Sequence, residues 1–234
     1  MAGSARCTDM RTTTLLGGVL VAALVPTSAQ AAKPAKPAKA GAAALTLNAA
    51  PNPVVFTKPV TLSGKLSGTT PLNGVSVRLE QDNTRPYGDS YKPAGQTATT
   101  GAGGAYAFTL KPAKNTQYRA VAQASPSVTS GPRLVLVRPL VGLKVSTTRP
   151  RAGSLVRFSG IVLPARNGAR VLVQKRSSTG RFVTVARKAL SASSSGSSYS
   201  VRVRVRRSGA YRVKLPGTLE LINGFSRTVS LTTR

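Results

Sequence analysis

Tyr199-Ser200-Val201-Arg202-Val203-Arg204-Val205-Arg206 alternates aromatic or apolar side chains with polar ones over its whole length. A period of two marks a strand with one face in a core and the other in water. The valines are expected to enter the core, and Arg202, Arg204 and Arg206 to form a ladder on the outer face, about 7 Å apart along the strand.

The same alternation recurs on either side. It appears in Val60 to Leu66, Val75 to Leu79, Ala105 to Leu110, Tyr118 to Val121 and Ala169 to Val173. Turn signals separate these runs: Asn73-Gly74, Gly101 to Gly104, Asn167-Gly168, Ser193 to Ser198 and Ser208-Gly209. No stretch between them carries a helical period. The chain also matches itself at a nearly constant offset. Ser63-Gly64 matches Ser159-Gly160, Asn73-Gly74 matches Asn167-Gly168, Tyr106 matches Tyr199, and Tyr118-Arg119 matches Tyr211-Arg212. A repeat of this length predicts two copies of one unit, residues 43–138 and 139–234. About seven short strands per copy predict an all-β fold of two tandem Ig-like, Greek-key β-sandwiches.

Tyr118 and Tyr211 each follow a short polar turn and open a late strand. That is the position of a tyrosine corner, whose hydroxyl bonds back to upstream backbone. Together with Val60-x-x-Ser63-Gly64, Gly74-Val75-x-Val77-x-Leu79 and Gly104-x-Tyr106-x-Phe108, the pattern resembles the bacterial Ig-like repeats of exported and cell-surface proteins in high-GC Gram-positive bacteria. Carboxypeptidase-regulatory-like modules share the Gly-x-Tyr-x-Phe strand. The resemblance covers both copies and implies a spacer, adhesion or carbohydrate-binding role. Such repeats are often attached to enzymes, and no catalytic domain is expected within these 234 residues.

Upstream of the first copy, residues 1–31 have the form of a secretory signal. Arg6 and Arg11 precede an apolar run from Leu15 to Val25, and Ala29-Gln30-Ala31 offers a cleavage site near Ala31. Either Met1 or Met10 serves as the start. Residues 32–42 form a Lys-Pro-Ala linker, expected to be extended. Cys7, the single cysteine, lies within the signal, so the exported chain would fold without disulfides. The expected location is secreted or cell-wall associated, with no transmembrane segment.

Composition excludes much chemistry. The 234 residues include 34 Lys and Arg against 5 Asp and Glu, with no His and no Trp. Histidine-based zinc sites and Ser-His or Cys-His nucleophile systems cannot be assembled, and no cofactor is expected. Glu80 and Asp82 lie two apart at a strand end, a spacing a glycosidase pair would tolerate. They lack an aromatic platform, so this stands third among the functional readings. Glu80, Asp82, Asn83 and Asp89 do not follow a calcium-loop spacing.

The positive charge is unevenly placed. The first copy holds 10 basic and 3 acidic side chains, the second 19 and 1. Such self-repulsion weakens a compact fold unless a polyanion or counterions screen it. The candidate polyanion-binding residues are therefore Arg170, Arg202, Arg204, Arg206, Arg207, Arg212 and Lys214. Arg207, Arg212 and Lys214 fall just beyond the ladder or on the next strand, and Arg170 shares a face with some of them. Phe182 is the one aromatic in the basic central region of the second copy besides the candidate core tyrosines, and no nucleic-acid motif is present, so a specific nucleic-acid partner is not expected. An anionic cell-wall polymer or acidic glycan suits an exported chain better. The main expectation is a non-enzymatic structural or adhesion protein, and the alternative is an accessory or inhibitor module that binds a protein partner by strand addition.

Overall fold

The computed structural model describes residues 42–234; the signal sequence and all but the last residue of the linker lie outside them. The described residues belong to one compact unit. Within it, two hydrophobic cores are each enclosed by a pair of antiparallel sheets. The chain is all-β, as its alternating runs require.

In the first sandwich, β1 (Ala44–Leu45) and β2 (Asn48–Ala50) both pair with β4 (Val60–Ser67), which also pairs with β7 (Ala105–Leu110). The facing sheet runs from β10 (Arg133–Val135) through β8 (Thr116–Ala122) and β5 (Ser76–Asp82) to β6 (Lys92–Thr99), with β9 (Val128–Thr129) also on β8. A short parallel pair joins β3 (Val54–Val55) to β11 (Val137–Arg138).

The second sandwich repeats this plan. One sheet runs from β12 (Leu140–Val141) through β14 (Ser154–Leu163) and β18 (Gly196–Val205) to β17 (Ser191–Ser193), with β13 (Lys144–Val145) also on β14. The other runs from β16 (Phe182–Ala189) through β15 (Arg170–Arg176) and β19 (Gly209–Leu215) to β20 (Gly224–Phe225), with β21 (Val229–Leu231) also on β19. Consecutive strands β18 and β19 lie in different sheets. That crossover is the Greek-key feature of immunoglobulin-like sandwiches.

The repeated Ser-Gly and Tyr positions now have a physical cause. Gly64 pairs with Tyr106, and Gly160 with Tyr199, on the inner face of each sandwich. With no side chain beneath it, each buried tyrosine passes over its glycine to the first strand segment. There the Tyr106 hydroxyl donates to the Thr46 carbonyl, and the Tyr199 hydroxyl to the Gly142 carbonyl. Burial pushes the Tyr106 phenol up to about 12 and raises that of Tyr199 further.

This corrects the expectation of a tyrosine corner at Tyr118 and Tyr211. Both are buried on the late strands β8 and β19, as their position implied. Among the described residues, however, neither hydroxyl bonds to upstream backbone. Tyr211 instead packs its ring 5.5 Å from Phe158. Of the four core tyrosines, the two that tie backbone are Tyr106 and Tyr199, one sheet away, each opposite a glycine.

The two sandwiches meet through the loop between β19 and β20. Leu221 of that loop is 4% exposed and belongs to the first core. The Asn115 N–H donates to the Glu220 carbonyl at 2.7 Å, and the Ile222 N–H to the Val137 carbonyl at 2.9 Å. The buried Asn115 side chain accepts from the Val137 N–H at 2.8 Å and donates to the Leu219 carbonyl at 3.4 Å. A primary amide both donates and accepts, so one residue serves both sides of the junction.

Candidate functional site

The candidate basic residues that lie on strands of the second sandwich fall on two opposite faces. Val201, Val203 and Val205 point inward on β18, as the alternation requires. Arg202 and Arg204 point outward. Their cross-strand neighbours on β14 are Arg157 and Leu155, and Lys144 on β13 shares that face through its pairing with Ser159. Lys144, Arg157, Arg202 and Arg204 are all exposed. Leu155, 52% exposed, adds an apolar spot among them.

Arg170, Arg212 and Lys214 lie on the outside of the other sheet. Arg212 is opposite Gln174 and Lys214 opposite Leu172, while Arg187 pairs with Leu172 from the far side. Arg206 and Arg207 fall in the exposed turn that connects the two sheets. The seven candidate residues therefore do not make one stripe. The division follows from the crossover, since the strand after β18 in sequence is not its neighbour in space. Sequence reasoning missed Lys144, Arg157 and Arg187, whose membership of a face depends on strand register.

No ion pair forms within the second sandwich among the described residues. Its one acid, Glu220, reaches across the junction to Lys114 at 3.4 Å. The first sandwich treats its charge differently. Arg119 Nε donates to Glu80 Oε2 at 2.7 Å, and Arg78 Nη2 to Glu80 Oε1 at 2.8 Å. Burial alone would raise the Glu80 carboxyl, but these two guanidinium groups outweigh it and hold it below its usual value. Asp82 is 1% exposed. Burial raises it, while the N–H groups of Gly88 at 2.7 Å, Thr84 at 3.0 Å and Ser90 at 3.4 Å donate to its carboxylate and carry it below its usual value. A glycosidase acid has a raised value, whereas Glu80 and Asp82 are both lowered by the guanidinium and backbone N–H groups that bond them.

Both carboxylates have lower folded-state than unfolded-state values. Their stabilisation is complete above roughly pH 5 and is lost as the pH falls through the folded values. Asp82→Ala removes the anchor of the loop 83–90 and is expected to cost about 2–3 kcal/mol at neutral pH. It should also flatten the acid limb of stability against pH, with urea midpoints between pH 7 and pH 3 as the measurement. An unchanged acid limb would remove Asp82 from this role.

The sheet carrying Arg212 has one more feature. The Arg212 guanidinium carbon lies 3.8 Å from the centroid of Phe182 and 4.4 Å from that of Phe225. Its Nε donates to Gln174 Oε1 at 3.0 Å. Burial shifts this guanidinium downward. The aromatic contacts hold the charge without neutralising it.

Among the described residues, no group of three or more metal-ligating side chains occurs, and no helix is long and apolar enough to cross a membrane. A cleft of 770 Å³ lies at the junction, lined by residues including Gln81, Gln96, Lys114, Arg166 and Glu220.

No known family matches the chain, and no curated protein matches it. Among solved structures, it is similar to a tetra-tandem repeat in the extending region of a large adhesion protein. The identity is 18% over 81% of this chain and 49% of that one, with a TM-score of 0.34. It is also similar to red sea bream transglutaminase, at 12% identity over 81% of this chain and 31% of that one, with a TM-score of 0.43. The chain thus spans less than half of either structure. Both likenesses are slight, and the fold rests on the strand pairing described above.

Proposed function

We propose that this is an exported, non-enzymatic two-sandwich protein with a structural or adhesion role at the cell surface, whose second sandwich contacts an anionic cell-wall polymer or acidic glycan. The observation that carries the proposal is the absence of any ion pair within that sandwich among its described residues, despite 19 basic side chains. With one acid in that sandwich, and that one paired with Lys114, those charges have no counter-ion within it. Guanidinium forks suit phosphate and carboxylate groups, and a strand spaces them at about 7 Å, within reach of successive groups on a flexible polymer.

Four cations on one face engaging a flexible polyanion give a slope of about −3 for log affinity against log salt, or roughly a 50–100-fold loss between 50 and 200 mM. Titration of the protein against purified cell-wall polymer at several salt concentrations measures this. A flat salt response would overturn the proposal.

One observation favours the alternative of strand addition. β16 is an edge strand, and its Val183 and Val185 are 50% and 42% exposed. A long apolar edge offers unpaired backbone to an extended peptide. Capture of a protein partner that persists at high salt would favour this reading over the first.

A further inference from the structure

The two sandwiches carry the same arginine at the same register and surround it differently. Glu80 stands opposite Arg119 on β5, and Gln174 stands opposite Arg212 on β15. In each case Nε donates to a side-chain oxygen of the opposite residue. Only in the first sandwich does that oxygen bring a negative charge. Tyr91 lies 4.0 Å beneath Arg119, as Phe182 lies beneath Arg212. Thr129 is paired with Val121 where Phe225 is paired with Lys214, so only Arg212 has a second aromatic ring upon it.

Two rings and an amide fix the plane and one edge of the Arg212 guanidinium. Nη1 and Nη2 make no hydrogen bond to the described residues and are not sealed from solvent. A guanidinium held in place before its ligand arrives loses less side-chain freedom on binding. Its open edge presents two parallel N–H groups, the geometry that meets an anion with two oxygens. Lys214 is two residues further along the same strand, and its partner Leu172 lies beside Arg187 on the other side.

We propose that Arg212, held against the rings of Phe182 and Phe225 and oriented by Gln174, is the seat for one two-oxygen anionic group, a phosphate or carboxylate, of a polyanionic chain. Lys214 and Arg187 attract the neighbouring groups. This rests on the polyanion reading above and sharpens it, because it gives one residue a defined contact within a diffuse field. It also gives the glutamine a purpose: an amide orients the guanidinium without occupying its charge.

The test uses the full chain and two probes, inorganic polyphosphate and poly-glutamate, at fixed ionic strength. Gln174→Glu recreates the arrangement of the first sandwich and supplies an internal anion. Ser194→Glu, in the exposed turn between β17 and β18, changes net charge equally at a distance. Gln174→Glu is expected to weaken binding about tenfold, as loss of a charge-assisted bidentate contact implies, and Ser194→Glu no more than about twofold. Arg212→Lys should fall with Gln174→Glu, because an ammonium keeps the charge and loses the fork. The melting temperature of Gln174→Glu should equal or exceed that of the wild type, which separates lost binding from lost structure. If Arg212→Lys does not fold, Gln174→Glu decides alone. The probe with the larger ratio between the two glutamate variants identifies the seated group. Equal losses in those variants would overturn the seat while leaving the polyanion reading intact. Failure of the wild type to bind either polymer would overturn both.

Discussion

Gly64→Ala is expected to unfold the first sandwich or cost it roughly 3–5 kcal/mol, a large part of the 5–15 kcal/mol that holds a domain together. The added methyl would land on the Thr46 carbonyl oxygen and 2.6 Å from the Tyr106 hydroxyl. Neither neighbour can give way cheaply. The Thr46 N–H is bonded to the Lys65 carbonyl at 3.0 Å, so moving this segment strips it from β4. Moving Tyr106 leaves a buried phenol without its acceptor. Gly131→Ala is the control, since a methyl there meets nothing within 4 Å and the backbone has no positive φ. It should be nearly neutral. Urea unfolding of both variants measures the difference, and similar midpoints would show that the tyrosine and glycine are not locked together.

Leu221→Ala is expected to cost the first sandwich about 2–5 kcal/mol, although residue 221 lies in the second repeat. The leucine is buried among residues of the first core, and its loss leaves a cavity there. The second core does not include it, so the second sandwich should keep its own stability. Calorimetry of the full chain should then show the first sandwich melting earlier and separating from the second. A uniform shift of both would mean that the second sandwich depends on the junction as well. No shift at all would mean that the loop does not dock in solution.

Much of the fold was legible in the chain because strand alternation is local. Tyr199 to Arg206 announces its own inner and outer faces, and the matched Ser-Gly, Asn-Gly and Tyr positions announce the repeat. Membership of a sheet is not local. The crossover between β18 and β19 placed Arg212 and Lys214 on the face opposite Arg202 and Arg204, and no residue type in the turn encodes that. The tyrosine corner failed for a related reason. Tyr118 and Tyr211 have the expected strand position, but among the four core tyrosines the hydroxyls that find backbone belong to the two rings that face a glycine across the sheet. Ser63-Gly64 and Ser159-Gly160 carried that signal as a pair with Tyr106 and Tyr199. Phe225 and Leu221 were invisible for another reason. Leu221 docks from a loop and Phe225 from a two-residue strand, β20, whose placement only the assembled structure displays.

The parallel pair β3–β11 bears on how the molecule responds to being pulled. β3 is approached from the N-terminal side, and β11 leads straight into β12 of the second sandwich. Tension between those two directions slides the strands past one another. The bonds from the Val54 N–H to the Leu136 carbonyl and from the Phe56 N–H to the Arg138 carbonyl, both 2.9 Å, then carry the load together and not one after another. The first sandwich is closed by a shear clasp at the point where force would enter it from its neighbour.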